Sequence, residues 1–380
     1  MPERVLVTGG TGYVAGWCIV ELLRRGYDVR TTVRSLAKAD TIRAAVEAEL
    51  AAGSTAPAGT AAPAGMGAAA GIGVAAGMGS AAGAMADPGR VGDRLSFQVA
   101  DLTSDGGWGE ALAGVDYVLH VASPLGTGST KNPDDLIVPA RDGAVRVLRA
   151  ATDAGVKRVV MTSACAAASP ALYTDDSVTD ETLWTDPADS RLTTYRKSKT
   201  LAERAAWDFM AAYDGPTTLT TILPGAVFGP VLTPSNVGSV EVIGRLLQGR
   251  MPGTPRLGFE LVDVRDLADI HIRAMTSDAA AGQRFIAVGD FLWVADMATS
   301  LRSRVGESAR KVPTRRLPDF ALKAMSVFDA SLRDITPALG RRHRHSPAKA
   351  ERLLGWRART GAETVADCGE SLLAKKAVVV

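Results

Sequence analysis

Tyr195-Arg196-Lys197-Ser198-Lys199 sets a phenol and an ammonium four residues apart. On a helix that spacing brings two side chains onto one face. A free tyrosine, with a pKa of about 10, is a poor base near neutrality. A cation beside it favours the phenolate and brings proton transfer into a useful range. The pair therefore suits protonation of a carbonyl oxygen, or removal of a proton from an alcohol, with Tyr195 transferring the proton and Lys199 tuning it. Tyr-x-x-x-Lys alone is a common spacing, and its meaning rests on what surrounds it.

Near the amino terminus stands Thr8-Gly9-Gly10-Thr11-Gly12-Tyr13-Val14-Ala15. It follows an apolar strand-like run and opens a helical pattern. Gly9 suits a tight exit from a strand, and Gly12 lets backbone approach a pyrophosphate seated on the helix N-terminus. Ala15 is small where helix and strand pack. Gly9, Thr11, Gly12, Tyr13 and Val14 are the candidate dinucleotide-binding residues of the turn. An acid about 20 residues further on would select NAD through its ribose hydroxyl. Here the second strand ends Thr31-Thr32-Val33-Arg34, without an acid. Arg34 is suited to a 2′-phosphate and to stacking on adenine, which points to NADP(H). Asp101-Leu102 follows the third strand, where an acid accepts from the adenine amino group. His120-Val121-Ala122-Ser123-Pro124 ends the fourth, where the cofactor ribose would pass; His120 reads as structural. With that cofactor in place, Lys199 would also hold the nicotinamide ribose hydroxyls.

The elements that must position these groups alternate. Strands are expected at Arg4–Thr8, Tyr27–Val33, Leu95–Val99, Tyr117–Val121, Arg158–Ser163 and Thr218–Leu223. Helices are expected at Tyr13–Arg25, Ala37–Leu50, Leu136–Ala154 and Tyr195–Tyr213. Such alternation means a parallel sheet wrapped on both faces. Right-handed crossovers make it a Rossmann-type doubly wound α/β fold, with its cleft at the carboxyl ends of the strands. Residues 1–224 read as the nucleotide-binding domain. Residues 225–380 read mainly as a smaller substrate-binding lobe, with returns to the main sheet expected at Glu260–Val264 and Arg284–Val288. Residues 51–90 interrupt the pattern. Ala51–Ala86 carries no charge and few large side chains, the composition of a flexible insertion.

The chain has 380 residues and a net charge of +2, so it offers no field arguing for nucleic acid or an anionic membrane. No apolar run approaches the ~20 residues of a membrane helix. Three widely spaced cysteines, Cys18, Cys165 and Cys368, form no metal-ligand pattern and fit a reducing cytoplasm. The opening MPERVLVTGG leaves no room for a signal peptide. A monomer or homodimer acting on a small carbonyl or alcohol, without metal, is the expectation. Arg341-Arg342-His343-Arg344-His345 reads as a solvated basic loop. Trp184, Phe228, Phe259, Trp293 and Phe320 read mostly as packing, in regions that also suit a substrate pocket.

The ordered set of motifs resembles the extended short-chain dehydrogenase/reductase family, within the NAD-dependent epimerase/dehydratase superfamily. It looks most like the dihydroflavonol reductase and cinnamoyl-CoA reductase branch. The resembling residues are Val7 to Val14, Val29 to Arg34, Asp101 to Thr103, His120 to Pro124, Tyr195 to Lys199, Pro224 to Pro230, Val262 to Asp266 and His345 to Trp356. The resemblance implies NADP(H) and reduction of an aldehyde or ketone, or the reverse oxidation. It also implies that Pro224 to Val227 touch the nicotinamide end. One position departs: the family usually ends its fifth strand Thr-Ser-Ser, and this chain reads Thr162-Ser163-Ala164-Cys165. Ala164 stands where the family has its substrate-binding serine. Either Ser163 or Thr162 supplies that hydroxyl, with Ser163 the candidate, or the site runs on Tyr195 and Lys199 alone. Two other functions remain alternatives: an NAD-dependent nucleotide-sugar epimerase or dehydratase, and a non-catalytic cofactor sensor.

Overall fold

Val5, Leu6 and Val7 of β1 (Arg4–Val7) are wholly buried in succession, as in a strand covered on both faces. The computed structural model describes residues 2–54, 91–124, 132–172, 177–235, 238–327 and 336–380. From β1 the chain runs through α1 (Tyr13–Arg24), β2 (Asp28–Val33), α2 (Ala39–Ser54), α3 (Val91–Arg94), β3 (Leu95–Val99), α4 (Trp108–Leu112) and β4 (Tyr117–His120). It continues through α5 (Asp134–Asp153), β5 (Arg158–Thr162), β6 (Val178–Thr179), α6 (Thr194–Ala211), β7 (Thr218–Pro224) and β8 (Ala226–Phe228). Then come α7 (Val240–Leu247), β9 (Gly258–Asp263), α8 (Val264–Thr276), β10 (Arg284–Ala287), β11 (Phe291–Trp293), α9 (Val294–Val305) and β12 (Arg344–His345).

The main sheet has seven strands in the order β10-β7-β5-β4-β1-β2-β3. Every pairing in it is parallel. The strand order reverses between β1 and β4, which opens the crevice where such sheets bind ligands. One face is covered by α1, α2 and α8, whose Trp17, Ile19, Leu22, Val46, Leu267 and Ile270 fill the core there. The other face is covered by α4, α5 and α6, through Trp108, Leu112, Val147, Leu148, Ala202 and Ala206. The Rossmann-type doubly wound fold is thus what the alternation of elements predicts.

One expectation changes. Glu260–Val264 does not return to the main sheet. β9 lies centrally in a separate three-stranded sheet, parallel to β8 and antiparallel to β11, whereas β10 joins β7 as expected. That smaller sheet packs with α7, α9 and the helix Gly361–Ala374 around Phe228, Ile243, Leu301 and Val365. The second lobe is also interleaved with the first. α8 and β10 belong to the nucleotide-binding layers, and Trp356 packs into their core. α2 extends through Ser54, into the stretch read as an insertion. The remainder of that insertion lies outside the described residues.

The basic run near residue 343 is not a plain solvated loop. β12 pairs with β6, and its side chains alternate: His343 and His345 are buried, while Arg342 and Arg344 are exposed. His345 Nδ1 bonds Glu260, and its Nε2 lies 2.8 Å from Ser169 Oγ. Among the aromatic candidates, Phe228 is core and meets Phe259 edge to face, Trp184 stacks on Arg284, and Phe320 is exposed. All three cysteines are free and buried. No described group of His, Cys, Asp and Glu could hold a metal ion. No described helix is long and apolar enough to cross a membrane.

Candidate active site

Gly9 leaves β1 with φ +74, a backbone state that suits glycine. A Cβ there would lie 2.9 Å from the Ala122 Cβ, so the turn and the end of β4 touch only because position 9 has no side chain. Gly10 is a third constraint that the motif alone did not reveal. Its Cβ would lie 2.4 Å from Thr31 Oγ1, so glycine is required for packing against β2. Gly12 is the N-cap of α1 and supplies no side-chain cap. The helix therefore presents its first amides without a protein cap, which fits a phosphate group.

Thr8 ties the turn to β4. Its Oγ1 accepts from Val121 N at 3.0 Å and Ala122 N at 2.9 Å. The hydroxyl proton is then left for His120 Nδ1, 3.0 Å away, which puts the histidine's own proton on Nε2. Burial, followed by the charge of Lys199, lowers the His120 pKa to about 3, so the ring is neutral. His120 is thus structural, as expected, and it orients Thr8, which holds Val121 and Ala122 beside the glycine turn.

At the far end of the crevice Arg34 is exposed and enters no ion pair among the described residues. Asp101 Oδ1 accepts from both the amide and hydroxyl of Thr103, which with the nearby Arg34 charge lowers its pKa. Asp101 and Arg34 therefore face a common region, and Leu102 is half-buried next to it.

α6 starts at a Thr193 cap that accepts from Arg196 N. This places Tyr195 in the first turn and Lys199 one turn later. Tyr195 is 42% exposed, whereas Lys199 is buried. Burial lowers the Lys199 pKa to about 8, against a raising contribution from Glu203. Tyr195 moves opposite to the expected tuning: although much of the side chain is exposed, the protein packed around its hydroxyl, then Cys165, raises its pKa to about 12. Pro224 closes β7 buried, and Val227 lies half-buried in β8, at the junction between the two sheets.

The two hydroxyls considered for the missing serine are both committed. Ser163 Oγ donates to Glu203 Oε2 at 2.7 Å. His271 Nδ1 bonds the Leu267 carbonyl, so its Nε2 accepts from Thr162 Oγ1 at 2.7 Å. Ala164 is buried and has no hydroxyl to offer. Glu203 and Arg284 were missed in the sequence. The only local signal was the spacing of Glu203, four residues beyond Lys199.

The glycine turn meets Ala122 at the end of β4, His120 of β4 feels the charge of Lys199, and Asp101 feels that of Arg34. The chain matches the NAD dependent epimerase/dehydratase family over residues 5–289. It is 31% identical over 310 residues to dihydroflavonol 4-reductase of Zea mays, covering 80% of this chain and 74% of the relative. It is also 31% identical over 343 residues to a Vitis vinifera anthocyanidin reductase, covering 86% and 88%. A Candida albicans Gre2 structure in complex with NADPH shares the fold at TM-score 0.72 and 24% identity, covering 98% of this chain and 99% of that one.

Proposed function

From the premise that the chain belongs to the NAD dependent epimerase/dehydratase family, we propose that it is an NADP(H)-dependent oxidoreductase of the extended short-chain dehydrogenase/reductase kind. Its reaction is reduction of an aldehyde or ketone, or the reverse oxidation. What supports this reading is that Tyr195 and Lys199 stand one turn apart on α6, with Lys199 near His120, whose partner Thr8 opens the glycine turn.

Gly9, Thr11, Gly12, Tyr13 and Val14 would hold the pyrophosphate, and Arg34 the 2′-phosphate. Asp101 and Leu102 would meet the adenine. Val121, Ala122 and Ser123 would border the ribose, and Pro224 and Val227 the nicotinamide. NADPH, when bound, supplies a hydride. Tyr195 gives its proton to the substrate oxygen. Lys199 would hold the ribose hydroxyls. The neutral phenol of Tyr195 suits the reductive direction, because the acid arrives already protonated. Ser163 is assigned to structure, and the proton transfer runs on Tyr195 and Lys199 without a serine.

Ser163→Ala is expected to lower the unfolding free energy by about 1–3 kcal/mol, as for a buried bond to a charged group. Denaturant titration measures it. Loss of a direct oxyanion donor would instead cost on the order of a hundredfold or more in rate.

The function is tested by following NADPH absorbance against a panel of aldehydes and ketones, with nucleotide sugars run in parallel. Net cofactor oxidation with a carbonyl supports the reading. Conversion of a nucleotide sugar with no net cofactor change would replace it with an epimerase or dehydratase. Binding of NADPH with no turnover on any substrate would leave a cofactor sensor.

A further inference from the structure

One turn beyond Lys199, Glu203 is wholly buried and yet accepts five hydrogen bonds. Oε1 accepts from Thr221 Oγ1 at 2.7 Å, Arg284 Nε at 2.9 Å and Trp207 Nε1 at 3.4 Å. Oε2 accepts from Ser163 Oγ at 2.7 Å and Arg284 Nη2 at 3.2 Å. The donors stand on β7 and β10, on the residue that follows β5, and on α6 itself. Arg284 continues outward. Its Nη1 donates to the carbonyls of Glu181 at 2.5 Å and Leu183 at 3.1 Å. Its guanidinium lies 3.6 Å from the ring centroid of Trp184. One carboxylate thus joins the helix that bears Tyr195 and Lys199 to β7, to β10 and to the end of β5, and through Arg284 to the segment around residue 183.

A buried ion pair of this kind is a weak source of stability, because desolvation offsets its attraction. Its attested use is to fix one arrangement. Resting on the function proposed above, we propose that Glu203 is the positioning residue of the proton-transfer pair. Through its bonds to Ser163, Thr221 and Arg284 it sets the register of α6 on the sheet, and its carboxylate stands one turn from Lys199 on the same helix.

The charges around Lys199 come from few elements. Tyr195 and Glu203 share its helix, His120 faces it from β4, and Cys165 lies near Tyr195. Arg284 of β10 and Glu181 lie beyond Glu203. α5 contributes no group to the shifts of Tyr195 or Lys199. Among the described residues, Glu203 opposes the loss of the Lys199 proton that burial favours. Removing its charge therefore moves Lys199 toward the neutral amine at lower pH.

The test is a carbon-13 titration of the full-length protein labelled at lysine Cε, with Lys199 assigned by Lys199→Arg. Glu203→Gln is expected to move the Lys199 midpoint to lower pH by about one unit, a tenfold change in its proton affinity. The alkaline limb of kcat/KM for the reductase reaction is expected to move with it. Glu203→Asp retains the charge and is expected to restore the titration while leaving kcat reduced, since the shorter side chain cannot reach all its partners. Because Glu203→Gln leaves Arg284 buried without its partner, Glu203→Gln with Arg284→Met repeats the titration without the unpaired guanidinium. An unchanged Lys199 midpoint in both folded Gln variants would overturn the proposal, as would equal shifts in Glu203→Gln and Glu203→Asp. The titration needs no cofactor or substrate. A shift in a protein that reduces no carbonyl would leave the electrostatic coupling standing and defeat the reductase reading alone.

Discussion

Tyr195→Phe is expected to reduce NADPH-dependent turnover by about 10²–10⁴-fold, the range found for removal of a general acid. NADPH affinity is expected to change little. The ring persists in the variant, so packing of the first turn of α6 is kept and the loss falls on the hydroxyl. The phenol's pKa, raised to about 12 by burial and then Cys165, makes Tyr195 an acid that retains its proton throughout the neutral range. Reduction is therefore expected to show no Tyr195 titration between about pH 6 and 9, where a side chain of that pKa stays protonated. Oxidation of the matching alcohol needs the phenolate, so its rate is expected to climb as pH rises across the same range. Stopped-flow measurement of both directions checks the sign. A variant with full turnover on the substrate would remove Tyr195 from the reaction.

Arg34→Ala is expected to weaken NADPH binding by roughly 10- to 100-fold and to leave NADH binding unchanged. That range corresponds to loss of charged hydrogen bonds worth about 1.5–3 kcal/mol. Arg34 is exposed at the end of β2, near Asp101, where the proposed site would take the adenine end of the cofactor. Because the residue is exposed, the difference between wild type and variant is expected to shrink as salt is raised. Fluorescence titration of both cofactors at two ionic strengths measures this. Equal affinities for NADPH and NADH, unaffected by the substitution, would assign the 2′-phosphate to other residues and shift weight to an NAD-dependent reaction.

The parts of this molecule that follow local periodicity were readable from the chain. β1, the glycine turn and α1 are contiguous, and their turn chemistry and helical spacing leave one arrangement. Tyr195 and Lys199 share a helix for the same reason. β9 was placed in the wrong sheet because a short apolar run such as Glu260–Val264 looks the same whichever neighbour it pairs with. Ser163 was given a substrate-facing role because its true partner, Glu203, lies 40 residues away, and the Arg284 that completes the group lies 81 beyond Glu203. No local pattern announces such a pairing. His343 and His345 were hidden in a basic run whose period-two burial emerges only when β12 pairs with β6. The depression expected for Tyr195 assumed that the cation beside it would dominate. In the folded chain burial and then Cys165 raise the Tyr195 pKa instead, and Lys199 is itself pulled toward neutrality.

The most direct test of the central claim uses NADPH carrying deuterium at its transferable position, incubated with a carbonyl panel and analysed by mass spectrometry. The account predicts an alcohol one deuterium heavier than its unlabelled counterpart, formed in equal amount with NADP⁺ and absent with Tyr195→Phe. NADPH that binds to the protein and returns with its label intact, whichever carbonyl is offered, would contradict it.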